Sequence, residues 1–199
     1  MDRNERRAAW EELSPTYAER RDPTGSDADL IDDLLAALPP DPLVLDVGCG
    51  DGARTLANLP PGSLGLDFAR EGLSLAAETV PESRLLQADM TAIPLAEESV
   101  DGITAYHSVF HVPRDRQPAV YREFARVLKP GGTLLMTLPG GRFETVRRGW
   151  MGGAMFFSAP GRQETLEQLQ AAGFTDLRTE TAADPLGSSS EFVFGSLEA

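Results

Sequence analysis

LVLDVGCGDG, residues 43 to 52, is the stretch from which the rest of the chain is read. Leu43, Val44, Leu45 and Val47 form a short apolar run, the pattern of a strand buried on both faces of a parallel sheet. Gly48, Gly50 and Gly52 then alternate. Without a Cβ, such a turn can take positive φ and let a ligand lie against the backbone. Residues 53–59 are expected to form a short helix. A strand, a glycine turn and a helix N-terminus together offer backbone N–H donors to a nucleotide-like ligand. The spacing is D-x-G-x-G-x-G from Asp46 to Gly52, not the G-x-G-x-x-G of a dinucleotide fingerprint.

Upstream, residues 5–21 read as an amphipathic helix with Trp10, Leu13 and Tyr17 at helical spacing, bent or broken at Ser14-Pro15. Residues 22–27 read as a turn, and Asp27 is placed to N-cap a second helix running to about Leu38. Prolines 39, 40 and 42 end that helix. Downstream, strands are expected at 63–67, 84–88, 100–106 and 133–138, with helices at 70–79 and 115–128. Lys129-Pro130-Gly131-Gly132 reads as a sharp stop before a strand. Such alternation means a parallel, doubly wound α/β sheet with its ligand at the carboxyl ends of the strands. Residues 139–160 show no clean period. A helix over 162–172 ends at Gly173, and two strands, 174–181 and 191–197, follow without a helix between them. The whole, 1–199, reads as one domain, with an N-terminal helical cap (1–40) and an irregular insert (139–165) on the substrate side.

The formal net charge is -13 over 199 residues, and Lys129 is the only lysine. An acidic surface argues against a nucleic-acid partner, which favours a basic groove. It also matches adaptation to molar salt, where self-repulsion of carboxylates is screened. No apolar run is long enough to span a bilayer, the N-terminus lacks an apolar secretory segment, and the single cysteine, Cys49, allows no intrachain disulfide. These features point to the cytoplasm and to no membrane partner.

Four ordered motifs, LDVGCGDG, GLDF, QADM and the stretch from VDGITAYHSVFH to VLKPGG, resemble those of the class I S-adenosylmethionine (SAM)-dependent methyltransferases, in the form that acts on small molecules. The resemblance implies a seven-stranded Rossmann-like sheet whose last strand is antiparallel and inserted between the fifth and sixth. It implies SAM as cofactor on Gly48, Gly50 and Gly52. Asp67, beside Phe68, would accept from the ribose diol. Asp89 would accept from the adenine amino group, with Met90 against the ring. Asp46 would serve the cationic amino end of SAM. Tyr17, with Arg20 and Arg21, would fold over the cofactor. Each acid also has a plain structural use: Asp67 as a helix cap, Asp89 as a turn cap, Asp46 as an acceptor of backbone N–H groups. Ala105-Tyr106-His107-Ser108 departs from the N/D-P-P-Y motif of enzymes that methylate nucleobase amino groups.

Tyr106, His107 and His111 cluster after the fourth strand, where an acceptor is expected. His111 is the candidate general base, Tyr106 the floor, and His107 second, since strand alternation would turn it away from Tyr106's face. Trp150, Met151, Met155, Phe156 and Phe157, flanked by Arg142, Arg147 and Arg148, either wall the acceptor pocket or pack a core. No Cys/His spacing suggests a metal. The expected activity is methyl transfer to a small molecule not identified by the sequence. An NAD-dependent oxidoreductase and a non-catalytic SAM-binding module are the alternatives, and oligomeric state is open.

The charge generates one prediction. Melting temperature should rise from dilute buffer to molar KCl, with SAM held constant. A flat or falling series in differential scanning calorimetry would overturn the salt-adapted reading.

Overall fold

A computed structural model describes residues 1–21, 25–183 and 189–198. Helix α1 (Arg3–Arg20) and helix α2 (Asp29–Ala36) precede strand β1 (Val44–Val47). Then follow β2 (Leu64–Asp67), α3 (Arg70–Thr79), β3 (Arg84–Gln87), β4 (Val100–Ala105), α4 (Gln117–Val127) and β5 (Leu128–Leu138). Strands β6 (Phe143–Trp150) and β7 (Gly153–Ala159), helix α5 (Arg162–Ala171), and strands β8 (Phe174–Ala183) and β9 (Ser189–Leu197) complete the chain. Seven strands form one sheet in the order β3-β2-β1-β4-β5-β9-β8. The first five run parallel, and β9 lies antiparallel to both β5 and β8. The order reverses beside β1, so the carboxyl ends of β1, β2 and β4 open a crevice there.

Both faces of the sheet are covered. Leu45 and Val47 point to the side packed by Val120, Phe124 and Val127 of α4 and Leu169 of α5. Val44 and Leu135 face Leu30, Ile31 and Leu34 of α2 with Phe192 and Phe194 of β9. The period-two alternation of the buried strands is thus read out as two cores.

Four local expectations change. Residues 53–59 form only a 3₁₀ turn at Leu56–Asn58. The reason is that Arg54 and Thr55 turn their side chains inward, to Asp27 and Asp46. Asp27 does not cap α2, whose N-cap is Ala28 without a side-chain bond. Both Asp27 and Arg54 are 0% exposed and form an ion pair through Nε, at 2.9 Å, and Nη2. Lys129–Gly132 is a bulge within β5: Val100 pairs with Leu128, but Gly102 already pairs with Thr133. The insert after residue 139 is a regular hairpin, β6–β7. Its turn, Met151-Gly152, takes positive φ at both residues (51° and 91°), the I′ geometry that suits a twisted hairpin. Of the second turn expected over 22–27, residues 22–24 lie outside the described residues.

Helix α1 runs through Pro15, and the Ser14 hydroxyl donates to the Trp10 carbonyl at 2.7 Å. Leu13 of α1 packs with Met155 and Phe157 of β7, and Trp10 joins them with Trp150. Glu11 reaches across to the start of α3, accepting from the backbone N–H of Arg70 (3.0 Å) and Glu71 (2.8 Å). A carboxylate there satisfies two of the helix's open donors and complements its dipole. Together these contacts tie α1 down across the carboxyl ends of the strands. Among the described residues, no helix is long and apolar enough to cross a membrane.

The buried pair sets a prediction. Asp27→Ala leaves Arg54 charged in the core, and the loss should be about 3–5 kcal/mol of unfolding free energy. Urea denaturation showing less than about 1 kcal/mol would mean the pair is not structural.

Candidate active site

A cavity of about 530 Å³ lies where α1 crosses the carboxyl ends of β1, β2, β3 and β4. That is within the ~300–1,000 Å³ of ligand pockets. Its roof is one face of α1: Arg3, Arg6, Trp10, Ser14 and Tyr17, three or four residues apart, with Arg21 just beyond. Tyr17 and Arg21 of this face are the residues the sequence places over the cofactor; Arg3, Arg6, Trp10 and Ser14 are given no such place.

The floor begins at Gly48 and Gly50. A Cβ on Gly48 would lie 2.3 Å from the Ser108 Cβ, so only glycine fits against the β4 end. Gly50 has φ +53, and a Cβ there would meet no atom within 4 Å, so that side of its backbone is open, while Gly72 packs against the other. The Gly50 N–H donates to Asp67 Oδ2 at 3.0 Å, and the Ala69 N–H to Oδ1 at 2.9 Å. Each carboxylate oxygen therefore retains acceptor capacity, and Asp67 lines the cavity. Burial pushes the Asp67 pKa up to about 6, against the pull of those N–H bonds.

Phe68, Asp89 and Met90 line the β2–β3 end. Asp89 Oδ1 accepts from the Thr91 N–H and hydroxyl at 3.0 and 2.7 Å, the turn-capping use, while Oδ2 meets Arg3 Nε at 2.5 Å. Tyr17 and Arg21 line the cavity near Asp51. Arg21 lies 5.2 Å over the Tyr17 ring and pairs with Asp51 at 3.2 Å. Arg20 is exposed and does not line the cavity.

Tyr106, His107 and His111 all line the cavity. Strand β4 ends at Ala105, and His107 takes φ +50, so strand alternation no longer applies and His107 shares the cavity with Tyr106. The Tyr106 hydroxyl donates to the Asp27 carbonyl at 2.8 Å, and burial raises its pKa. His111 is 9% exposed, with Nδ1 2.8 Å from the Phe156 carbonyl and its ring edge-on to Trp10 at 5.0 Å. A carbonyl only accepts, so Nδ1 carries the proton and Nε2 keeps its lone pair. Burial lowers the His111 pKa to about 4.

Two expected cofactor residues lie off the cavity. Asp46 is 1% exposed, and its oxygens accept from the hydroxyls of Thr55 and, at 2.8 Å, Thr104. Its protein partners are these two hydroxyls rather than backbone N–H groups, and it stands behind the glycine turn. Burial raises its pKa to about 6. Gly52 is a packing position, where a Cβ would lie 2.8 Å from Val80. Trp150, Met151, Met155, Phe156 and Phe157 do not line the cavity either. They back α1 and His111, while Arg147 stacks on Phe157 at 4.8 Å and Arg142 pairs with Glu164.

Residues 45–136 match the family model of the methyltransferase domain. Methyltransferase GfsG of Streptomyces halstedii is 41% identical over 100 residues, 46% of this chain and 35% of that protein. The tRNA (carboxymethyluridine(34)-5-O)-methyltransferase of Arabidopsis thaliana is 30% identical over 106 residues, 53% of this chain and 26% of that protein. The matches thus span only about a quarter to a third of these relatives' own length. Among solved structures, a SAM-dependent methyltransferase from Methanosarcina mazei superposes with a TM-score of 0.69 at 18% identity, over 83% of this chain and 97% of that one.

Asp46 allows a test by linkage. An acid whose folded pKa is raised holds its proton in the folded state when the unfolded chain has lost it. Its contribution is fully present below pH 3.8 and is lost as pH rises through about 6. His111, lowered to about 4 by burial, acts in the opposite sense over that window. The clean measurement is therefore a difference: wild-type minus Asp46→Asn unfolding free energy should fall as pH rises from about 4 to 6. A difference independent of pH would show that Asp46 is not desolvated.

Proposed function

We propose that this chain, whose residues 45–136 match the family model of the methyltransferase domain, is a class I SAM-dependent methyltransferase that transfers a methyl group from SAM to a small-molecule acceptor, in the cytoplasm. One observation carries the reading. Asp67, held by the Gly50 and Ala69 N–H groups, presents spare acceptor capacity to the cavity directly beside the open side of the Gly50 backbone. A diol-bearing ligand can be gripped by that carboxylate and still lie flat on the turn.

When bound, SAM supplies an electrophilic methyl on a sulfonium. The chain's part is to bind, align and exclude water. Asp67 holds the ribose. Asp89, Met90 and Phe68 form the adenine end, where Arg3 must yield or share the Asp89 Oδ2. Tyr17 and Arg21 cover the amino-acid end, and the Arg21 guanidinium is a partner for its carboxylate. Asp46 and Gly52 hold the turn in place from behind. Tyr106, His107 and His111 surround the end where the acceptor enters. With its lone pair on Nε2, His111 is in the tautomer that takes a proton from an acceptor, and Tyr106 shapes the floor. Burial keeps His111 neutral well below the usual range, so it remains base-competent through neutral pH.

Calorimetric titration tests the cofactor. Asp67→Ala should weaken SAM about ten- to a hundred-fold, from losing charged acceptor bonds of ~1.5–3 kcal/mol. Unchanged affinity in folded Asp67→Ala would sink the assignment. Quenching of tryptophan fluorescence by NADH but not SAM would favour an oxidoreductase. A metabolite-extract screen with methyl-labelled SAM then identifies the acceptor. On it, His111→Gln should lower turnover ~10²–10⁴-fold with SAM affinity kept. The wild-type rate should hold until pH nears about 4. Near-wild-type turnover of His111→Gln would leave alignment alone as the mechanism.

A further inference from the structure

The cavity of this acidic protein is edged by arginine. Arg3, Arg6, Arg116 and Arg21 all line it, and so do three carboxylates, Asp51, Asp67 and Asp89. The carboxylates are already engaged: Asp51 by Arg21, Asp89 by Arg3, and Asp67 by two backbone N–H groups. Two guanidinium groups are left over. Arg6 donates to the Met1 carbonyl at 3.0 Å and lies 5.5 Å over the Phe156 ring, but forms no ion pair among the described residues. Neither does Arg116. Other arginines, Arg7, Arg20 and Arg84 among them, also form no ion pair among the described residues, but they are exposed and do not line the cavity, whereas Arg6 and Arg116 do.

Arg6 and Arg116 also oppose one another. Burial holds the Arg6 pKa below its ordinary value; Asp89 and Asp2 offset this in part, and the charges of Arg3 and Arg116 add to it. Phe156, beneath Arg6, is the residue whose carbonyl orients His111. Arg6, offset only in part by Asp89 and Asp2, therefore stands near the candidate base, and Arg116 lines the same cavity. Two guanidinium forks facing one space can grip a carboxylate or phosphate through paired N–H bonds.

We propose that the methyl acceptor carries an anionic group, a carboxylate or a phosphate, that seats between Arg6 and Arg116 as its binding handle. This rests on the methyltransferase reading of the same cavity.

The test is calorimetric titration of the full chain saturated with S-adenosylhomocysteine, at constant ionic strength, with benzoate, phenyl phosphate and benzamide. The three share one ring and differ in charge. Benzoate or phenyl phosphate should bind about tenfold or more tightly than benzamide, a difference of ~1.4 kcal/mol, and the tighter of the two names the handle. Arg6→Gln and Arg116→Gln should each remove most of that preference while S-adenosylhomocysteine still binds, which also certifies the fold. Equal binding of all three probes, or an anion preference untouched by either variant, overturns the inference and leaves the methyltransferase reading standing. Failure of S-adenosylhomocysteine to bind the wild-type chain overturns that reading, and this inference with it.

Discussion

The ion pair between Asp27 and Arg54 is the contact on which the site depends. Both side chains are withdrawn from water, which costs several kcal/mol per charge unless geometry and extra bonds compensate. Here Nε and Nη2 of one guanidinium both donate to one carboxylate. The Asp27 carbonyl accepts from the Tyr106 hydroxyl at 2.8 Å. Even the glycine just upstream is shaped by the pair, since a Cβ on Gly25 would lie 2.5 Å from Arg54 Nη2. Three separate pieces of chain thus meet at one point: the segment before α2, the segment after the glycine turn, and the end of β4. The positions of Gly50 and Tyr106 follow from that junction.

A second buried polar group lies beside the first. Arg54 and Thr55 are consecutive, and both turn inward, one to Asp27 and the other to Asp46. That explains why the turn does not open into a helix. The hydroxyls of Thr55 and Thr104 join β4 to the turn through Asp46, so the turn is braced from behind while the side of Gly50 that a Cβ would occupy stays open. Asp46 and Asp67 are both raised by burial, and the charge of Asp67 adds to the rise of Asp46 while Glu11 adds to that of Asp67. A cationic ligand in the cavity reverses that balance, since a nearby positive charge favours the ionised form.

The sheet was legible because its signals are local. Short apolar stretches between Gly- and Pro-rich turns mark the strands in alternation with helices, and the residues of α3 are those expected, Arg70–Thr79. The placement of β9 between β5 and β8 came from the family resemblance. Residues whose roles depend on distant partners were not legible. Asp27 looks like a helix cap until Arg54, 27 residues on in sequence, claims it. Asp46 looks like a ligand for a cation until two threonines close on it. The hairpin was hidden because β6 turns arginines and glutamate to solvent and β7 buries a contiguous Met155-Phe156-Phe157 run, so neither strand alternates cleanly. The cavity face of α1 was legible in part: Tyr17 and Arg21 were expected over the cofactor, whereas Arg3 and Arg6 were not singled out, and Leu13 with Trp10 packs against the hairpin.

Charge and architecture meet on α1. The body of the protein is strongly acidic, yet the helix that roofs the cavity brings Arg3, Arg6 and Arg21 to it. In dilute buffer a net charge of -13 repels an anion at long range, and a few arginines at one mouth oppose that field only locally. At about 1 M salt the Debye length shrinks to ~3 Å, and the repulsion from the distant surface is lost before contact is made. Direct guanidinium contact in a partly buried mouth is screened much less. The same ionic strength that relieves the acidic surface would therefore leave a contact site for anions in place. For such a site, a roof that is already positioned matters more than steering. Glu11 on the start of α3 and the hairpin packed on Leu13 and Trp10 hold α1 in that position.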